Sequence, residues 1–258
     1  MSVIPIIENT FFANGRYWGG LNSSLYRSGS FWAMQTGIES ADLNMVWNEK
    51  PLIQEDRRAI EDIKTNFQQT GLPFWCWVFP RGRSEVTIDI LQTAGFTFID
   101  SIPCMFADLS LPEAEEDDRS LQIVQIQNEE TLRLWEKVSF AGFDFPPETQ
   151  HQYHDFVRTF NLTAGSLQKF YLAYFNGQPV ATSLLFLHEN AAGFYFISTL
   201  AEFRGKGIGL AVTRATMTAA RNAGAQYATL QSSPDGLHVY RQAGFQEYCR
   251  VDVYGLSG

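Results

Sequence analysis

Three glycines and two cations meet in Arg204-Gly205-Lys206-Gly207-Ile208-Gly209, between an apolar, aromatic run (Phe194 to Leu200) and a long helix-forming segment. Strand, glycine turn and helix in that order aim unpaired backbone N–H groups, and the positive end of a helix, at an anion. Glycine lets the main chain come close to a diphosphate where a Cβ would block it, and Arg204 and Lys206 add positive charge locally. The chemistry within reach of these residues is to hold a phosphate-bearing cofactor.

What the turn lacks narrows the cofactor. It has no Gly-Lys-Ser/Thr ending, which a nucleoside-triphosphate loop needs to seat magnesium. Its glycines run Gly-x-Gly-x-Gly, and no acid lies near Gly224 to Gln226. Both features disfavour the dinucleotide site of an oxidoreductase. Arg-x-x-Gly-x-Gly directly after a strand instead resembles the pyrophosphate-binding turn of the GNAT N-acetyltransferases. A second stretch, Leu230-Gln-Ser-Ser-Pro-Asp-Gly-Leu-His-Val-Tyr240-Arg-Gln-Ala-Gly-Phe245, resembles that family's later signature, with Ser233 where asparagine is usual.

The resemblance implies a fold and a reaction. The strand before the turn would splay from its neighbour, and Ile197, Ser198 and Thr199 would meet the pantetheine arm through main-chain atoms. A backbone N–H near Thr199 or Leu200 would polarise the thioester carbonyl. Arg204, Gly205, Lys206, Gly207, Ile208, Gly209 and Leu210 would cradle the pyrophosphate, and Ser233 would make a weakened cofactor contact. Tyr240 would be the general acid that protonates the departing thiolate. The implied activity is coenzyme A-dependent N-acyl transfer, acetyl-CoA to a primary amine of a small molecule or peptide by direct attack, with no metal. The alternative is an acetyl-CoA-binding sensor or interaction module without turnover, which would need no acid at Tyr240.

No general base emerges. The strand Phe194 to Ile197 is uncharged, Glu202 in the turn reads as solvated, and Asp144 in an aromatic loop is a weak candidate. His238 stands two residues before Tyr240 and so on a different helix face. His151 and His154 are one helical turn apart but lack a third ligand in reach, so they read as surface histidines.

The elements that must position these groups form a regular series after residue 120. The reading is strand Leu121–Gln127, helices Glu129–Phe140 and Glu148–Phe160, and strands Lys169–Phe175 and Pro179–Leu187 around an Asn176-Gly177 turn. Next come strand Phe194–Leu200, helix Gly207–Asn222, strand Gln226–Gln231, helix Asp235–Gln242 and a final strand region Phe245–Tyr254. Before it, residues 9–50 are rich in Phe, Tyr, Trp and Gly without clean periodicity, with strands suggested at Ser30–Gln35 and Leu43–Trp47. Gln54–Gln69 is an amphipathic helix that buries Ile60, Ile63 and Phe67. Phe74–Phe79 reads as a buried strand, Ser84–Thr93 as a helix capped by Ser84, and Phe96–Asp108 as a hairpin or paired strands.

Gln92-Thr-Ala-Gly-Phe96 resembles Gln242-Ala-Gly-Phe245, each after a helix and before a strand, which suggests duplication. The expected fold class is α/β with a mixed sheet, in two GNAT-like domains. Residues 1–109 form a truncated, degenerate copy without the pyrophosphate turn, the acidic run at 110–120 a linker, and residues 121–258 the acetyltransferase domain.

The whole chain has 258 residues, 45% hydrophobic and 18% charged, an ordinary globular composition. A net charge of −9 argues against a nucleic-acid partner. Cys76, Cys104 and Cys249 are isolated, which fits a reducing cytoplasm. Neither a signal peptide nor an apolar run of membrane-spanning length is evident. The expected partner is the amine acceptor, with neither nucleic acid nor membrane, in a monomer or homodimer.

Overall fold

The computed structural model describes residues 2–22, 24–110 and 121–256. The first half of the chain gives helix α1 (Ile4–Leu21), strands β1 (Leu25–Ser28), β2 (Phe31–Met34) and β3 (Met45–Asn48), helix α2 (Asp56–Thr70), strand β4 (Trp75–Val78), helix α3 (Glu85–Thr93) and strand β5 (Phe96–Asp108). The second half gives β6 (Leu121–Gln125), α4 (Glu129–Gly142), α5 (Gln150–Val157), β7 (Gln168–Phe175), β8 (Gln178–His188) and β9 (Ala191–Thr199). It ends with α6 (Ile208–Asn222), β10 (Tyr227–Gln231), α7 (Leu237–Gln242) and β11 (Gln246–Leu256). The acidic linker expected at 110–120 lies, from residue 111, outside the described residues.

The chain divides into two compact units, Met1–Cys104 with Tyr248–Gly258, and Met105–Glu247. This division differs from the expected one at 109 and 121, and strand pairing is the reason. β11 pairs antiparallel with β4, from Asp252↔Val78 to Gly255↔Trp75, so it completes the first unit. Leu109 N–H donates to Gln226 O at 2.8 Å, so the chain just after β5 lies beside the start of β10 in the second.

In the first unit β1, β2 and β3 pair antiparallel, α2 crosses over, and β4 joins β3 in parallel. The alternation of strand side chains sends Val46, Cys76 and Val78 into a core shared with Ile60, Ile63 and Phe67 of α2. The alternate residues Trp47 and Trp77 meet α1, where Phe12 stacks on Trp47 and Phe11 packs on Trp77. In the second unit β6 to β9 form an antiparallel meander, α6 crosses over, and β10 joins β9 in parallel. Met217 and Ala220 of α6 pack with Leu185, Ala192 and Phe194. Trp135 of α4 packs on Phe170 and donates its Nε1–H to Ser183 O at 3.2 Å.

One order of elements thus occurs twice: β1-β2-β3-α2-β4-α3-β5 and β7-β8-β9-α6-β10-α7-β11. β4 and β10 hold the same place in it. The Ala-Gly-Phe repeat itself is helix-stop chemistry. Gly95 (φ 90°) and Gly244 (φ 99°) take the left-handed conformation after α3 and α7. Each donates its N–H three residues back, to Gln92 O and Arg241 O, and the following Phe96 and Phe245 are buried.

Three expectations fail locally. Phe96–Asp108 is one 13-residue strand. Its polar Asp100-Ser101 segment continues the strand, with Ser101 Oγ donating to Asp252 Oδ1 at 2.8 Å. The helix expected over 148–160 is a 3-10 turn (Pro147–Thr149) followed by α5, which ends at Val157. The start of the 9–50 stretch, read as lacking clean periodicity, is helical: residues 9–21 belong to α1.

Candidate active site

The site begins with a fork. β9 and β10 pair only at Tyr227↔Ala191, Ala228↔Ala192 and Thr229↔Gly193. Past Gly193, β9 continues to Thr199, and β10 ends at Gln231. A bulge accompanies the split: between Leu184↔Tyr195 and Thr182↔Ser198, β8 advances two residues and β9 three. Phe196 takes φ 49° there, a region bulky residues avoid. Thr182 holds it, its Oγ1 donating to Phe196 O at 2.8 Å and sharing a hydrogen bond with Ser198 Oγ at 2.8 Å. A bulge of this kind ends regular pairing and re-aims the strand.

Hydrogen-bond alternation decides which backbone donors face the fork. Leu200 N–H is spent on Val180 O of β8, at 2.9 Å. Thr199, one residue earlier on an antiparallel edge, turns its N–H the other way, toward the fork. Of the two N–H groups expected near a carbonyl, Leu200's is thus occupied and Thr199's is the one that faces the fork. Its own carbonyl accepts from Arg204 Nε at 3.1 Å.

The glycine turn opens beside the fork. Gly205 (φ 74°) and Gly207 (φ 78°) are left-handed, and a Cβ built on either meets nothing within 4 Å. Open space on the turn, together with its backbone conformation, explains why glycine stands at both positions. Gly207 caps α6 without a side-chain hydrogen bond, and the first turn of the helix carries no acid. The first intrahelical bond runs from Ala211 N–H to Gly207 O at 3.1 Å, so the N–H groups of Ile208, Gly209 and Leu210 lie outside the ladder. A cleft of about 380 Å³ opens here, with Thr199, Gly205, Gly207 and Gly209 on one side and Asp235, His238 and Gln242 on the other.

The two cations of the turn are deployed differently from the expectation. Arg204 donates from Nε to Thr199 O and from Nη2 to Gly142 O (2.9 Å), so it ties the turn to the end of α4. Lys206 lies over the Phe203 ring at 4.9 Å and does not line the cleft. Arg204 also lines the cleft, so its guanidinium adds to the backbone N–H groups and the α6 terminus there.

Ile197, Leu210 and Tyr240 are partly buried, each packed against the core that holds Phe194, Met217, Leu230 and Phe245. Ser198 is buried, facing Thr182. Ser233 is exposed, and its Oγ accepts from Gly236 N–H at 3.2 Å, stabilising the turn before α7. Tyr240 lies outside the cleft lining. Its ring leans back over Gly236, where a Cβ would come within 2.6 Å of it and which sits beside Ser232 at the end of β10. It meets Phe245 edge-on at 6.1 Å, and burial pushes the phenol's pKa well above its ordinary value.

Sequence reasoning set aside His238, yet it faces the cleft, sharing a 2.9 Å hydrogen bond with the Gln242 amide. A helix wheel separated it from Tyr240 correctly; Tyr240 turned out to be the one on the core side. His154 pairs with Glu136 at 3.0 Å and His151 with Asp155 at 3.2 Å, each on its own carboxylate. Among the described residues no cluster of three or more His, Cys, Asp or Glu could hold a metal.

The matching place in the first unit is closed. β3 and β4 stay paired through Trp47↔Trp77, and Asn48 Nδ2 then donates to Gly82 O at 2.8 Å. The start of α2 carries its own anion: the buried Asp56 carboxylate accepts from Ser30 N–H (2.8 Å) and Ile53 N–H (3.0 Å). A cleft of about 840 Å³ elsewhere in this unit is lined by Arg83, Ser101 and Asp252, which bond to one another.

Residues 166–247, which hold the fork, the glycine turn and α7, match the family model of the acetyltransferase (GNAT) domain. The chain carries a GNAT domain. Solved structures resemble this one over nearly its whole length. A GCN5-related N-acetyltransferase from Kribbella flavida has 17% identity and TM-score 0.73, covering 96% of this chain and 95% of that one. One from Sphaerobacter thermophilus has 15% identity and TM-score 0.61, covering 88% and 76%. A tandem GNAT protein from the clavulanic acid biosynthesis pathway has 12% identity and TM-score 0.58, covering 89% and 84%. A search of curated proteins gave no match. At these identities the likeness is one of fold, and the fold is the GNAT fold with a mixed sheet. Among the described residues, no helix is long and apolar enough to cross a membrane.

Proposed function

We propose that the chain is a coenzyme A-dependent N-acyltransferase that moves an acetyl group from acetyl-CoA to a primary amine of a small molecule or peptide. The observation that carries this reading is the fork between β9 and β10, opening beside an α6 terminus with free donors. The chain's residues suit the cofactor's parts. The N–H groups of Gly205 through Leu210 suit a diphosphate, and the unpaired edge of β9 from Ile197 to Thr199 suits the amides of a pantetheine arm.

The amine nitrogen attacks the thioester carbonyl carbon, and charge grows on the carbonyl oxygen. Thr199 N–H is the donor held ready for that oxygen, so it strengthens as charge develops. The C–S bond then breaks, its electron pair leaving with sulfur. Tyr240 supplies the proton to the thiolate, and the nitrogen gives up its own proton to water. The phenol, its pKa raised by burial, keeps its proton at neutral pH until the thiolate forms, and it regains a proton from solvent after the thiol leaves.

A second reading, an acetyl-CoA sensor without turnover, is favoured by the placement of Tyr240 outside the cleft lining. Among the described residues Cys76, Cys104 and Cys249 form no disulfide, and the proposed setting is cytoplasmic. The purified chain should bind acetyl-CoA in calorimetry and release free thiol only when an amine is added. Binding without thiol release for every amine tried supports the sensor, and absence of binding overturns both readings.

A further inference from the structure

The loop after α4 lies against the part of β9 that bounds the fork. A Cβ on Gly142 would come within 2.6 Å of Ser198 Oγ and 3.6 Å of Thr199 N, so this glycine lets the helix end touch the strand. Arg204 bonds Gly142 O and Thr199 O together. The next residue, Phe143, sets its ring edge-on to Phe196 at 5.6 Å and 83°. Phe196 is the bulge residue with the unfavourable φ, and its ring also packs on Trp135 at 5.5 Å and Tyr153 at 6.4 Å.

The rings continue as one wall. Phe145 packs on Phe143 at 5.8 Å and on Tyr153 at 5.2 Å. Tyr153 is buried, with its hydroxyl hydrogen-bonded to Ser139 Oγ at 2.7 Å, which fixes the inner end. Phe143 is the outer end, 42% exposed. In the segment Gly142-Phe-Asp-Phe-Pro-Pro147 the one charged residue is Asp144, itself in the left-handed region at φ 55°.

Resting on the acyl-transfer reading, we propose that this wall is the acceptor subsite, and that it takes an amine borne on a flat, apolar ring. The aromatic body lies edge-to-face against Phe143 and Phe196, and the amine reaches the carbonyl polarised by Thr199. Polyamines and aminoglycosides, which need many hydrogen-bonding and charged partners, find few on this face.

The test is equilibrium binding to the full chain saturated with coenzyme A, using phenethylamine, n-butylamine and spermidine as probes. Phenethylamine should bind about 10-fold or more tightly than either other amine, the worth of burying one ring. Phe143→Ala should erase that preference while coenzyme A affinity stays at the parental value, and Phe143→Leu should retain part of it. Equal binding of phenethylamine and n-butylamine, no binding of phenethylamine, or an undiminished preference in Phe143→Ala would overturn the subsite. Coenzyme A affinity, measured separately, shows whether the cofactor reading has failed instead.

Discussion

Arg204 Nη2 donates to Gly142 O at 2.9 Å, joining residues 62 apart in sequence. With its Nε on Thr199 O, the guanidinium is a strut between the cofactor turn and the aromatic loop. The family motif suggests a phosphate ligand at this position; from its two carbonyl bonds we propose that it acts as a positioning residue. Arg204→Met should therefore leave coenzyme A affinity within about 3-fold of parent, and amide exchange at Phe143 to Phe145 should quicken by about 10-fold, the worth of one charge-assisted bond. A fall in affinity beyond about 100-fold with unchanged exchange would return Arg204 to the phosphate.

Gly207 is left-handed with open space around it. Gly207→Asp places a negative charge where the diphosphate must approach, and should abolish coenzyme A binding. The backbone cost is about 1–2 kcal/mol, so the fold survives. Gly207→Asn, which tolerates the same φ without charge, should bind more weakly than parent but measurably. Calorimetry on both variants checks this, and retained affinity in a folded Gly207→Asp would place the anion elsewhere.

The first unit should bind no cofactor. Its strands stay paired through Trp47↔Trp77, and the buried Asp56 carboxylate, held by Ser30 N–H and Ile53 N–H, puts a negative charge at the start of α2. Titration should give one coenzyme A per chain. Asp56→Ala removes a buried acceptor from two N–H groups and should destabilise the chain by about 1–3 kcal/mol in denaturant unfolding. A stoichiometry of two would show that the first unit holds a site the closed strands do not suggest.

Tyr240→Phe keeps the ring over Gly236 and against Phe245 and removes the proton. With an acceptor in hand, acetyl-CoA affinity should change little and kcat should fall by on the order of 10²–10⁴. Parental kcat would leave water as the donor.

Sequence and structure agree where local chemistry sets the outcome. The Asn176-Gly177 hairpin takes left-handed φ at both residues (50° and 80°), as its composition demands. The glycine turn, the stop at Gly224 and the helix of Ile60, Ile63 and Phe67 were legible for the same reason. Helix α1 was not, because its buried face mixes Ile7, Phe11, Phe12 and Trp18 with Glu8, Thr10, Asn14, Gly15 and Gly19. Polar residues and glycines on the buried face dilute the 3.6-residue apolar signal. The unit boundary was hidden too: which strand β4 accepts as neighbour depends on Asp252 to Gly255, far away in sequence. At the site, the turn was visible in its glycines. The fork depended on a bulge at Phe196 that no residue type announces, and Arg204's acceptors are carbonyls, which every residue has.

The central claim is that a thioester lies in the fork with its carbonyl on Thr199 N–H. A crystal structure of the chain with acetyl-CoA measures it directly. The account predicts the carbonyl oxygen about 3 Å from Thr199 N, the pantetheine arm along Ile197 to Thr199, and the diphosphate on the N–H groups of Gly205 to Leu210. A bound cofactor whose carbonyl lies away from Thr199, or whose diphosphate sits off the α6 terminus, would contradict it.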